Sequence, residues 1–119
     1  MLTSEQLIER AKSAFGNGQL ASALSEARRA VMLTPSSAVA STVLGVVFAK
    51  TGSEAGARQA YRWAIPASGG REPKAFSNLA RVEEISGNWE VAASIYLDGR
   101  HLNPHATALI ERLAALYIS

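Results

Sequence analysis

The chain contains no cysteine, which excludes disulfides, thiolate zinc sites and cysteine nucleophiles but does not separate a reducing compartment from an oxidising one. Aromatic residues are scarce at 7% and charged residues reach only 18%, a balance that favours closely packed helices over a sheet with bulky faces. Charge of one sign is also in short supply. A formal net charge of +2 is too small to build the phosphate-tracking stripe of a nucleic-acid binder. No stretch approaches the roughly 20 apolar residues that span a bilayer, and Met1-Leu2-Thr3-Ser4-Glu5-Gln6 has no basic region followed by an apolar run. These absences predict a soluble, cytoplasmic protein that neither inserts into membranes nor binds nucleic acid.

Motifs that carry chemistry are missing as well. His101 and His105 have the spacing of two ligands on one helical face, but Asn103-Pro104 breaks the helix between them. Glu83 and Glu84 are adjacent and diverge by about 100° on a helix, so they cannot act as a carboxylate pair. No Gly-x-Ser-x-Gly elbow occurs, and Gly69-Gly70 lacks the Lys-Ser/Thr of a phosphate loop. No metal, no cofactor and no catalytic residue is expected, and the chain reads as a non-enzyme.

What the sequence does have is apolar content of 48%, swollen by alanine, in 119 residues. That length makes one domain, residues 1–119, and a domain of this size buries roughly two thirds of its unfolded surface. The apolar residues repeat. Gly18 recurs as Gly52 and Gly87, Ala23 as Ala57 and Ala92, Ala27 as Tyr61 and Tyr96, Ala30 as Ala64 and Gly99, and Pro35 as Gly69 and Pro104. All five series keep one common step up to Gly69 and a step longer by a single position afterwards, which places the extra residue in the loop Pro66 to Pro73. Leu44-Gly45 reappears as Leu79-Ala80 and Leu113-Ala114, so a seventh helix follows three pairs.

Local signals predict helices over about 4–16, 20–33, 36–50, 54–65, 73–86, 89–101 and 105–117. Thr3 and Gln6 form a capping-box pattern, and Pro35, Pro73 and Pro104 stand where a first helical residue tolerates losing its N–H. Within the pairs, Gly18, Gly52 and Gly87 suit the left-handed end of one helix, while Ser53 and Asn88 can cap the next.

With these registered positions the sequence resembles the tetratricopeptide-repeat family, whose 34-residue unit combines Leu-Gly, aromatic, Ala and Pro at set spacings. The second unit carries the resemblance best, through Leu44-Gly45, Phe48, Gly52, Ala57, Tyr61 and Ala64. The third supplies Phe76, Leu79-Ala80, Gly87, Trp89, Ala92, Tyr96 and Pro104, and the first Leu7, Ala11, Gly18, Leu20, Ala23, Ala27, Ala30 and Pro35. The resemblance implies an all-α right-handed superhelix of three repeats, about 4–37, 38–72 and 73–106, with a terminal helix at about 105–117. Gly69 departs from the pattern where a proline is expected. Glu83 stands where the family prefers an aromatic, and the reading places it at the rim, reaching solvent.

The resemblance further implies a concave face, lined by the first helix of each pair, that holds a peptide or helix of a partner protein. Its groove positions fall on Glu5, Ile8, Lys12 and Phe15, on Val39, Thr42, Val46, Ala49 and Lys50, and on Lys74, Ser77, Asn78 and Arg81. The expected site has an apolar floor of Ile8, Phe15, Val39 and Val46 between basic rims of Lys12, Lys74 and Arg81, suited to an apolar segment carrying acidic residues. One subset of the family clamps the acidic carboxyl termini of heat-shock chaperones. This chain keeps Lys74 but has Ile8 and Val43 where that clamp needs polar groups, which reads against such a tail.

Two features point to self-association as the alternative. Trp63, beside Arg62, falls where a polar outward residue is usual, and is read either as tucked under the Gly69-Gly70 loop, the slightly favoured reading, or as a second contact on the convex face. The last helix carries Ile110 and Tyr117 among more apolar residues than one packed face needs. Its spare edge would pair with another copy or partner, or lie under a longer chain continuing past Ser119.

Overall fold

The structure, a computed structural model, describes residues 1–118, with side chains described to residue 116. Seven helices follow in order: α1 Ser4–Gly16, α2 Leu20–Leu33, α3 Ala38–Lys50, α4 Glu54–Ala67, α5 Pro73–Ile85, α6 Trp89–Leu102 and α7 Thr107–Ile118. No strand occurs among the described residues. The fold is all-α, as the repeat of helix pairs requires.

Capping explains the element ends. Thr3 and Gln6 make a reciprocal capping box on α1, and Ser53 accepts from the Gly56 N–H to start α4. Asn88 behaves differently: it makes no side-chain cap, and its amide donates instead to Glu83. Gly18, Gly52 and Gly87 all have positive φ, and the residue after each bonds back to Ala14, Phe48 and Glu83 respectively, the six-to-one bond of a Schellman turn.

The prolines expected to start helices are not equivalent. Pro73 opens α5, but Pro35 and Pro104 lie in turns closed by Ser37 N–H to Thr34 O and Ala106 N–H to Asn103 O. A proline fits the second position of such a turn equally well, so α3 and α7 begin at Ala38 and Thr107 rather than at the prolines. Pro66 does not end α4 either. The helix carries it in the last turn and closes on a fourth Schellman turn, with Gly70 N–H bonded to Ile65 O and Gly69 at φ 65. That turn replaces the missing proline.

Each helix packs on its sequence neighbours, and in addition α1 touches α3, α3 touches α5 and α5 touches α7. Among the described residues the backbones of α2, α4 and α6 do not approach one another in this way. First helices drawn together and second helices splayed apart curve the stack, with α1, α3 and α5 on the inner face. The molecule measures 47 × 27 × 20 Å.

Close approach depends on small residues. A Cβ on Gly45 would stand 2.3 Å from the Tyr61 ring, and one on Gly99 would stand 2.8 Å from Phe76. The large and small partners thus exchange helices between the second and third pairs. Tyr61 and Tyr96, which occupy the same repeat position, are both buried. Burial pushes the Tyr61 phenol up to about 12, against a smaller opposing effect of Arg81. Tyr96 is also pushed up, first by burial and then by donating its hydroxyl proton to Glu84.

Alkaline pH is therefore destabilising in a defined window. The unfolded phenol ionises near 10, while folded Tyr61 holds its proton to about 12, so stability is complete below about pH 10 and falls as the pH rises through that interval. Denaturant titrations should show a negative slope of roughly 1.4 kcal/mol per pH unit for each contributing tyrosine. Tyr61→Phe should flatten it by about one such share.

Glu83 is the principal correction to the sequence reading. It is buried, at 4% exposure, and does not reach solvent at the rim. Arg58 on α4 brings both Nε and Nη2 to 2.6 Å from Oε1, and Asn88 donates to Oε2. An ion pair has taken the aromatic's place between the second and third units. The cost of burying the carboxylate is offset by a fork-shaped donor with fixed geometry.

Candidate functional site

The inner face carries a half-open groove of about 440 Å³ between α1, α3 and α5. Helix α3 forms its floor with Val39, Thr42, Val43, Val46 and Val47. A helix packed on both neighbours is apolar nearly all round, and α3 touches α1, α2, α4 and α5. Lys12 and Phe15 make the α1 wall. Lys74 and Asn78 make the α5 wall, together with Glu72, the residue that caps α5 by accepting from the Lys74 N–H.

Seven expected residues meet in this groove: Lys12, Phe15, Val39, Thr42, Val46, Lys74 and Asn78. Arg81 lines an adjoining hollow with Ala49, Tyr61, Val82 and Ile85, and Val46 and Asn78 border both spaces. Lys50 is exposed and lines neither space. Ile8 is a correction: at 6% exposure it packs into the core with Leu7, Ala30 and Ala40 instead of joining the floor.

Two lining residues, Val47 and Glu72, escaped the sequence reading, which named Val43 only as a clamp position without a polar group. Val43 and Val47 follow from the width of the apolar face on α3, visible in the run Val43 to Val47. Glu72 was legible as the residue before Pro73, though its reach into the groove was not. Among the described residues it supplies the only carboxylate of the lining, against the ammonium groups of Lys12 and Lys74. Lys12 also approaches Glu9 at 3.8 Å, a solvent-exposed contact that holds it only weakly.

Of the second-contact residues, Trp63 is 49% exposed. It does not tuck under the Gly69-Gly70 loop, because Leu102 lies against Gly70 and the Asn103 amide donates to the Gly70 carbonyl at 2.7 Å. Ile110 is exposed, while Leu109 and Leu113 of the same helix are buried against the third unit. The Tyr117 side chain lies outside the described residues.

The architecture matches solved structures along nearly its whole length. The first tetratricopeptide-repeat domain of Spaghetti (RPAP3), bound to the HSP90 peptide SRMEEVD, superposes with a TM-score of 0.85 at 17% identity, covering 97% of this chain and 93% of that one. The chain has the tetratricopeptide-repeat fold. The Sgt2 tetratricopeptide domain from Aspergillus fumigatus gives a TM-score of 0.85 at 16% identity, covering 96% of this chain and 76% of that one. The yeast Sti1 domain in complex with pHsp70 gives 0.85 at 15% identity, covering 97% and 93%. No sequence-family model matches the chain, and no curated protein is similar to it in sequence. Among the described residues no helix is long and apolar enough to cross a membrane.

Proposed function

We propose that this tetratricopeptide-repeat fold is a protein-interaction adaptor whose concave groove holds a segment of a partner protein and performs no chemistry on it. The observation that carries the reading is the juxtaposition of a valine floor with Lys12 on one wall and Lys74 on the other. Apolar side chains of the segment lose water against Val39, Val43 and Val46, and the two ammonium groups favour a carboxylate between them. Arg81 extends the basic side past Asn78.

Similar solved domains are described with chaperone peptides, which supports a peptide-holding role in general. The partner proposed for this groove differs in chemistry. Ile8 is in the core and Val43 is in the floor, so neither offers a polar group to a carboxylate. Glu72 further weakens the groove's appeal to a tail with several adjacent acids. The segment that fits is mainly apolar with a single carboxylate.

Val46→Glu combined with Lys74→Glu places two new negative charges in the groove. It should weaken partner binding by tenfold or more, since an unpaired charge at a contact costs at least ~1.4 kcal/mol. Val39→Glu, at a residue already half exposed, is a milder variant that leaves the fold intact. Affinity capture followed by titration calorimetry with the recovered partner checks both. Unchanged affinity in folded variants would remove the groove from consideration.

A further inference from the structure

The outer face shows a charge reversal that the repeat register makes visible. The same pair of positions reads Arg28-Arg29 in α2, Arg62-Trp63 in α4 and Leu97-Asp98 in α6, all exposed. Where α2 and α4 have Ala21 and Ala55, α6 has Glu90. At these positions the outer face is thus basic at one end of the stack and acidic at the other. Among the described residues Arg62, Glu90 and Asp98 form no ion pair.

The basic end also holds an apolar hollow of about 390 Å³ in the gap between α2 and α4. Met32, Leu44, Phe48 and Trp63 are among the residues that line it, and Arg28 lies over the Phe48 ring with its centre 5.3 Å away. The hollow has a local cause. Gly56 provides no side chain at its edge, whereas one repeat later Val91 holds that position and the Arg58–Glu83 pair fills the place of Phe48.

We propose that this outer face is a self-association surface, in which the α6 strip of a second copy covers the hollow. Glu90 and Asp98 of the incoming copy meet Arg28 and Arg62, while Val91 and Leu97, both exposed, bury Met32 and Trp63. The choice of a second copy rests on charge complementarity: the chain itself carries an apolar strip of the opposite sign. Arginine and tryptophan side by side are the residue types that dominate association energies. The surface faces away from the groove, so partner binding and self-association operate separately.

Sedimentation equilibrium over a wide concentration range tests this with charge swaps at exposed positions. Wild type should associate, and more weakly as salt screens the pairs. Arg28→Glu with Arg62→Glu, and separately Glu90→Arg with Asp98→Arg, should each weaken association by roughly tenfold or more. An equimolar mixture of the two variants should associate again, because each then presents the sign the other needs. Trp63→Ser should also weaken association without altering any charge. Wild type remaining monomeric throughout would overturn the proposal, as would variants that associate like wild type or a mixture in which association is not restored.

Discussion

Replacing Arg58 by methionine should lower the unfolding free energy by about 3 kcal/mol, the largest loss expected from any single polar substitution in the chain. The reason lies in what is left behind. Glu83 is almost fully buried, and Arg58 supplies both of its short contacts. Without the guanidinium the carboxylate keeps only the longer bond from Asn88 at 3.4 Å. A buried charge stripped of its partner costs more than the pair was worth. The double variant Arg58→Met with Glu83→Leu should recover most of the loss, since both charges then leave together and the vacated space is filled by apolar atoms. Urea denaturation of the two variants distinguishes this from simple packing loss: if the double variant is as unstable as the single one, the pair is not acting as an isolated charge couple.

Gly45→Ala should be comparably damaging for a different reason. The added methyl would stand 2.3, 2.6 and 2.8 Å from three atoms of the Tyr61 ring, a clash that cannot be relieved at the end of a flexible chain. Tyr61 is itself held between Ala57, Leu79 and Val82, so either α3 and α4 separate or the ring leaves its rotamer. Overpacking of this kind costs roughly 1–3 kcal/mol, occasionally more, and this site belongs at the upper end. Glycine is also the weaker helix former by about 1 kcal/mol, so the measured loss is the clash reduced by that gain. Pairing Gly45→Ala with Tyr61→Leu should restore part of the stability, and thermal melts of the single and double variants read the difference directly.

These two sites show where sequence reasoning succeeds and where it stops. Gly45 was legible because its position recurs in every unit as a small residue, and a fixed repeat of this length reports helix pairing whatever the side chains do. The seven helices and the turns between them follow from that register. Glu83 was misplaced because periodicity marks the slot as interior without saying which distant residue could neutralise a charge there. Arg58 lies 25 positions earlier, and nothing local links them. Trp63 was misplaced for a related reason. The space under the Gly69-Gly70 loop belongs to Leu102 and Asn103, which approach it from the following unit.

The groove was legible on the same terms. Lys12, Val39, Val46 and Lys74 converge because the register puts them on the inner face of successive first helices. Ile8 sits on the same helix as Lys12, yet it packs with Ala40 and Val43. Helical phase sets Ile8 between Lys12 and Phe15, so rotation does not remove it from the groove; it lies one turn nearer the start of α1, where it joins the cluster of Leu7, Ala30 and Ala40.

The central claim, that the inner face holds a partner segment, is tested most directly by nuclear magnetic resonance. The minimal segment of a captured partner is titrated into isotopically labelled protein, and amide shifts are followed residue by residue. Shifts concentrated at Lys12, Phe15, Val39, Val43, Val46, Lys74 and Asn78, and lost in the Val46→Glu, Lys74→Glu variant, are the predicted result. Shifts confined to the outer helices α2, α4 and α6, with those inner-face residues unmoved at saturation, would contradict it.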